Sequence, residues 1–343
     1  MGTWPAAFAL AAVSCGFSAK GSGDTDEHGS SSSTGSTSAD PVTTMTASGT
    51  SQTSTTSTTQ STTDTTTSTT TDASGSTGPT PELGCPSPLP DSWIYCQDFE
   101  QVGDPFEEFD PYFFDATNFE VDNAAARSGA RSLRWRYTEV GDTWSGEAWI
   151  RFGDAGNAGP VFASAQVFDE IWARVWVRTQ DGWPGGGYGE VLEISAREGP
   201  QGARVATVVA GGDPMQNYLG LQARTCIDAG MLQCDGMMDW QTDRFLAGSG
   251  GSTIINDPEQ GPQWHCIVMH VQLNQAGMTD GFASLIVDGV EDVVLYDLDL
   301  RGTWDQTGLN TVRINSSWPG GATGTVERYM DDIVIANAPL ECP

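Results

Sequence analysis

Beyond residue 85 the chain alternates apolar and polar residues in short runs, broken by Gly, Asp, Asn and Pro. The runs are 131–137, 147–152, 171–178, 189–195, 204–210, 218–226, 265–273, 283–287, 311–315 and 328–335. A period of two belongs to strands with one buried face, and no long stretch shows the 3.6-residue period of a helix. Strands at this spacing without helices between them predict an all-β fold, an antiparallel sandwich or jelly roll.

Parity then sorts side chains into faces, because successive residues of a strand point to opposite sides. In 171–178, Ile171, Ala173, Val175 and Val177 form a core face, and Trp172, Arg174, Trp176 and Arg178 form the other. The polar-side partners elsewhere are His270 and Gln272, then Gln222 and Arg224, Arg313 and Asn315, and Trp149 with Arg151. Taken as the concave side of one sheet, they predict a single ligand groove lined by Trp149, Trp172, Trp176, Arg178, Arg224, Gln272, Arg313 and Asn315. Indole faces stack on the C–H faces of sugar rings, and guanidinium forks grip carboxylates or sulfates.

The region before residue 85 follows neither period. Residues 1–15 hold an apolar run from Trp4 to Val13, too short for a permanent membrane span and suited to a signal peptide. It ends Ala-Val-Ser-Cys, which resembles the lipobox of bacterial lipoproteins and would make Cys15 the lipidated residue. Ala12 stands where that motif usually has Leu, and no Lys or Arg precedes the apolar run. Residues 16–84 are dominated by Ser, Thr, Gly and Asp, too poor in apolar surface to offset the entropy of ordering, and predict a disordered stalk. Residues 85–343 are the expected folded domain.

Charge narrows the partners. The formal net charge is −30, and from Cys85 onward 38 Asp and Glu face 14 Arg, the single lysine, Lys20, lying upstream. Such a surface repels nucleic acid and anionic lipid, so no nucleic-acid partner is expected and membrane contact only through an anchor. Of seven cysteines, Cys15 stands apart. The remaining Cys85, Cys96, Cys226, Cys234, Cys266 and Cys342 suggest three disulfides in an exported domain. Cys226 and Cys234 are expected to close a loop, and Cys342 to tie the C-terminus to Cys85 or Cys96. No CxxC spacing is present, which argues against zinc.

The segments CQDFE, RSGARSLRW, IWARVWVR, WHCIVMHVQLNQAGMTDGFASLIVDG and RYMDDIVIA together resemble the concanavalin A-like jelly rolls of carbohydrate-active proteins, including polysaccharide lyases and laminin-G-like lectins, over residues 96–336. The resemblance implies a carbohydrate-binding jelly roll. His270-Val271-Gln272 is similar in content, in reversed order, to the Gln-x-His strand of alginate-lyase jelly rolls, and RSLRWR to their early Arg-rich strand. The last strand, RYMDDIV, lacks the Lys and Tyr pattern of those lyases. A lyase built on this resemblance would use His270, Tyr188 and Arg174, with Tyr329 as a second source of the acid. The resemblance also implies a structural Ca²⁺, for which Asp98 and Glu100 on the first strand and Asp331 and Asp332 on the last are the candidate ligands.

A retaining-glycosidase cluster of the form E-x-D-x-x-E finds its best match in GYGEVLEIS, where Leu192 and Ser195 replace two carboxylates. Strict alternation also puts Glu193 on the face opposite Glu190, so that pattern fails. The expected function is therefore a monomeric, lipid-anchored domain at the bacterial outer membrane or cell surface that binds an anionic polysaccharide. The alternatives are a polysaccharide lyase acting by β-elimination and a structural adhesion module for protein partners.

Overall fold

A computed structural model describes residues 84–101, 105–109, 118–141, 144–155, 160–186, 189–199, 202–212, 217–234, 242–318 and 321–343. The leader, Cys15, nearly all of the stalk and Tyr188 lie outside the described residues. The chain divides into two units, Met1–Ala73 and Ser74–Pro343, and only the second is described.

Among the described residues the strands are β1 (Trp93–Gln97), β2 (Phe119–Asp122), β3 (Ser132–Tyr137), β4 (Trp144–Phe152), β5 (Val161–Phe162) and β6 (Glu170–Thr179). There follow β7 (Glu190–Glu198), β8 (Ala203–Gly211), β9 (Tyr218–Thr225), β10 (Ile227–Asp228), β11 (Met231–Leu232) and β12 (Arg244–Ile254). The last are β13 (His265–Gln272), β14 (Gly281–Val287), β15 (Val290–Leu298), β16 (Leu309–Ser317) and β17 (Val326–Ala336). They build the jelly-roll sandwich that the alternation predicts.

One sheet has eight strands in the order β15-β14-β13-β6-β17-β3-β2, with β1 also on β17. The other has seven, β12-β9-β8-β7-β16-β4-β5. Pairing is antiparallel except for the two-residue match of β4 with β5. Strand β17 pairs β3 through residues 326–330 and β1 through 333–336. The change of partner falls at Asp331 and Asp332, where Asp332 takes a left-handed φ of 47°.

The core lies where parity puts it. Ile171, Ala173, Val175 and Val177 of β6 and Ile267, Met269 and Val271 of β13 join one cluster with Leu192, Ile194 and Ala196 of β7, Val312 and Ile314 of β16, and Ala148, Ile150 and Phe152 of β4. Burying side chains of this size contributes about 1.5–3 kcal/mol each, so the opposite faces carry whatever chemistry the sandwich has.

All six domain cysteines are paired: Cys85–Cys96, Cys226–Cys234 and Cys266–Cys342. The expected partner of Cys342 is corrected here. It joins Cys266 in β13, because Cys85 and Cys96 take each other and the C-terminal segment crosses the outside of the eight-stranded sheet. There Leu340 packs into a cluster with Trp172, Trp176, Cys266, Val268, Val334 and Ala336. Arg174 donates to the Glu341 carbonyl (2.9 Å), and the Asn337 amide donates to the Ser92 carbonyl (3.0 Å).

Candidate functional site

The single groove expected from parity does not form. Its residues lie on the outer faces of two different sheets, because β6 pairs with β13 and β17 whereas β16 pairs with β4 and β7. Trp172, Arg174, Trp176, Arg178, His270 and Gln272 belong to the eight-stranded sheet. Trp149, Arg224, Arg313 and Asn315 belong to the seven-stranded one.

On the eight-stranded sheet the indole–guanidinium ladder is a packing layer beneath the C-terminal segment. Trp172 and Trp176 are 9% and 7% exposed. Arg127 stacks on Trp176 at 4.1 Å, Arg174 lies 5.7 Å from the Trp93 ring, and Arg178 lies between Trp264 (5.9 Å) and Tyr329 (5.8 Å). His270 stacks flat on Trp172 (4.0 Å, 9° between planes) and bonds Glu170 at 2.8 Å. Burial pulls its pKa down against the pull of Glu170. Gln272 is exposed at the end of the same strand. His270 and Arg174 are thus on neighbouring strands, but Arg174 is held under the C-terminal segment and serves no open groove there. Tyr329 donates to Glu327 (2.7 Å), and burial with that carboxylate pushes its phenol up to about 12.

The outer face of the seven-stranded sheet is built differently. Across the ladders, Trp149 of β4 lies opposite Arg313 of β16, Arg313 opposite Glu193 of β7, and Glu193 opposite Val209 of β8. Val209 lies opposite Gln222 of β9. The next row holds Arg151, Thr311, Ser195, Thr207 and Arg224. Arg313 pairs with three carboxylates: Glu147 (3.1 Å), Glu193 (2.6 Å) and Glu190. Arg197 reaches Glu193 (2.7 Å) and Ser195 (3.0 Å) and stacks on Trp149 at 4.1 Å. Arg204 and Arg224 share Asp243, at 3.0 and 3.1 Å.

Parity alone misplaces Glu190. Between Glu190 and Leu192 strand β7 carries an extra residue relative to β8, a bulge that advances the alternation by one. Glu190 therefore shares the face of Glu193 and accepts from Asn315 (2.9 Å) as well as from Arg313. The opposite-face expectation for these two glutamates is corrected.

The electrostatics follow from this crowding. Burial alone would raise the Glu193 carboxyl, but Arg313, Arg197 and Arg204 hold it at about 2. Burial lowers the Arg197 guanidinium to about 10 in spite of Glu193. Arg313 is driven upward, because Glu193, Glu190 and Glu147 outweigh its burial. For Glu147 burial wins over Arg313, and its carboxyl sits above the ordinary range.

One end of this face is closed and the other open. Arg151 donates to the Ala155 carbonyl (3.1 Å) and Arg197 to the Gly202 carbonyl (3.2 Å), and both guanidiniums are buried with Trp149. Gly202 has φ +65°, and a Cβ there would meet the Arg151 guanidinium at 3.2 Å. Towards β9 and β12 the face opens: Gln222 is exposed, the Arg224 side chain is 31% exposed, and Phe245 is 55% exposed. Gly248 and Gly250 of β12 leave room for the Phe245 and Tyr218 rings, which a Cβ would meet at 3.1 and 3.0 Å. Two buried groups on the same face, Thr207 Oγ1 and Asn315 Oδ1, have no hydrogen-bond partner.

Of the four carboxylates expected to hold calcium, Asp331, Asp332 and Glu100 reach the 127–131 segment. Asp331 accepts from the Arg127 amide (2.7 Å), Asp332 from Ser128 Oγ (2.6 Å), and Glu100 from the Ala130 and Arg131 amides (2.8 and 2.6 Å). Asp98 accepts from the Cys85 amide (2.9 Å). Burial and the neighbouring Asp332 push the Asp331 carboxyl up to about 7. Among the described residues no group of three His, Cys, Asp or Glu stands in metal-ligating geometry, so these oxygens serve backbone amides and the Ser128 hydroxyl.

Several residues of this face escape a reading by runs. Glu190 is hidden by the bulge, Phe245 by a glycine-rich strand with no hydrophobic alternation, and Asp243 by its place just before that strand. Glu193, Ser195 and Arg197 were legible as one face by parity.

No protein-family model matches the chain, and no curated protein matches it. Solved structures similar to it include an endo-β-1,4-glucuronan lyase from the fungus Trichoderma reesei (12% identity, 72% of this chain and 96% of that one, TM-score 0.48). Others are a PL-14 alginate lyase from Aplysia kurodai (14%, 73% and 100%, TM-score 0.49) and alginate lyase vAL-1 from Chlorella virus (14%, 65% and 90%, TM-score 0.46). At these scores the likeness transfers no ligand and no residue role.

Proposed function

We propose that the sandwich binds a polysaccharide along the outer face of β4, β16, β7, β8, β9 and β12, and that the polymer is anionic. One observation carries this reading. Five of the domain's 14 arginines (Arg151, Arg197, Arg204, Arg224 and Arg313) stand on this face with four carboxylates (Glu147, Glu190, Glu193 and Asp243), in a domain with 38 acidic residues. The guanidiniums thus outnumber the carboxylates on this face by one in an otherwise strongly acidic domain, and of the five Arg224 is the partly exposed one. Its open end offers the Phe245 and Tyr218 rings for stacking, with Gln222 and Arg224 beside them as donors.

Affinity electrophoresis of the whole chain through alginate, pectate and glucuronan gels tests this. Retardation by at least one is expected, weakened by Phe245→Ala at unchanged Tm. Migration unaffected by every polymer overturns the reading and favours an adhesion module for protein partners. A lyase would need its base and acid here, and among the described residues the histidines lie on the other sheet. Tyr218 is the described tyrosine on this face.

Two further parts of the proposal stand on the sequence. Lipidation of Cys15, with the Ser/Thr stretch as a spacer, would place the domain at the outer membrane or cell surface; Cys15→Ser should then release it from membranes without detergent. A monomer is proposed, to be checked by sedimentation.

A further inference from the structure

Around Arg313 the charges do not balance. Three carboxylates, Glu147, Glu190 and Glu193, face two guanidiniums, Arg313 and Arg197. Glu193 is fully buried and ion-paired with both arginines, so it completes the neutral part of the cluster. The surplus falls on Glu147 and Glu190, which approach Arg313 from β4 and β7, the two strands flanking β16. Their side chains are 10% and 29% exposed. Beside them is an independent sign of an unfilled site. Asn315 is 5% exposed, its Nδ2 holds Glu190 in place, and its Oδ1 has no partner.

From this arrangement we infer that the face hydrolyses glycosidic bonds, with Glu147 as general acid and Glu190 as the carboxylate that activates water. The inference rests on the proposal that polysaccharide binds here. Glu147 gives its proton to the glycosidic oxygen as the bond from that oxygen to the anomeric carbon breaks. A water bonds to the anomeric carbon and passes a proton to Glu190, leaving a new hydroxyl at each cut end. A final proton exchange with solvent resets both carboxyls, so water is consumed and no double bond forms. The roles follow from the surroundings. Burial favours the protonated form of Glu147, as an acid requires, whereas Glu190 is the more exposed of the two and is held by Arg313 and Asn315. The pair escapes parity because of the bulge at Val191, which turns Glu190 onto the face of Glu193.

The test uses the full chain with alginate, pectate, glucuronan and hyaluronan, and with xylan and laminarin as neutral controls. New reducing ends and ultraviolet absorbance of unsaturated ends are followed together, in ¹⁸O-labelled water. Expected are reducing ends carrying one ¹⁸O, without unsaturated absorbance. Glu147→Gln and Glu190→Gln should each lower the rate by about 10²–10⁴-fold, the range for a lost acid or base, while gel retardation persists. Glu190→Ala should regain turnover with added formate, which a merely structural role would not allow. Unsaturated ends rising with the reducing ends would overturn hydrolysis in favour of elimination. Retardation by a polymer that is never cut overturns hydrolysis and leaves the binding proposal standing. Absence of retardation by any polymer removes both.

Discussion

The two outer faces of the sandwich are written in nearly the same alphabet. Trp172, Arg174, Trp176 and Arg178 alternate on one, and Trp149 and Arg151 begin the other. On the eight-stranded sheet Arg127 and Arg174 meet aromatic faces and a backbone carbonyl, the latter supplied by the disulfide-tethered C-terminal segment. Arg178 also reaches Asp181, and Arg134 and Arg136 pair with Asp122 and Glu327 at the β3 side. On the seven-stranded sheet the arginines meet carboxylates, and the row runs out to an open end at Arg224 and Phe245. An indole–guanidinium ladder therefore does not by itself signal a ligand. What decides is whether the guanidiniums are spent on packing or arranged with counter-charges beside an accessible edge.

The comparison breaks most sharply at Glu193. Glu193→Gln takes from the buried Arg197 the carboxylate it pairs with, and breaking such a pair costs about 3–5 kcal/mol. Denaturant unfolding should show that loss at pH 7. The sign with pH is fixed by the depressed pKa. The stabilisation is fully present above the ordinary value of 4.5 and is lost as pH falls through about 2. The gap between wild type and variant should narrow over that window; a gap that widens on acidification would contradict the network.

A similar loss is expected from the cover of the opposite face. Cys266→Ser with Cys342→Ser should destabilise by about 2–5 kcal/mol. It should also shift tryptophan emission to the red as Trp172 and Trp176 lose their cover, while polysaccharide retardation stays unchanged. Loss of retardation in this variant would mean that the covered face takes part in binding.

A smaller effect comes from His265, which bonds Asp288 (2.7 Å) and the Gln260 carbonyl (2.9 Å) at the start of β13. Burial opposes its charged form, but these partners outweigh it and raise the pKa above 6.5. Its contribution is complete below 6.5 and disappears as pH rises through the raised value. Tm should fall modestly between about pH 6 and pH 8, and His265→Gln should flatten that slope. An equal slope in the variant would assign the effect elsewhere.

Strand identity and core faces were legible because burial imposes a period of two. Ile171 to Val177 and Ile267 to Val271 read correctly for that reason. Strand partnership was not legible, since β6 meets β13 and β17 across long stretches of chain, and parity carries no information on which sheet a strand joins. The Gly- and Ser-rich β12 reads as a loop. It is a strand because β9 supplies the ladder and its glycines seat the Tyr218 and Phe245 rings. Of the candidate site, Trp149, Arg224, Arg313 and Asn315 were visible by alternation; Glu190 was lost to one extra residue in β7. The partner of Cys342 depended on the path of the C-terminal segment, which spacing does not encode.

The central claim is that ligand binds the seven-stranded face and not the eight-stranded one, and one paired measurement addresses it. Arg224→Ala and Arg178→Ala should be compared in the same gel series, against whichever anionic polymer retards the wild type, at two salt concentrations. Arg224→Ala should weaken binding by about 10–100-fold, as for a charge-assisted hydrogen bond of about 1.5–3 kcal/mol, and the loss should shrink at high salt. Arg178→Ala should bind as wild type does. Loss of affinity in Arg178→Ala with none in Arg224→Ala would place the ligand on the other sheet and contradict the account.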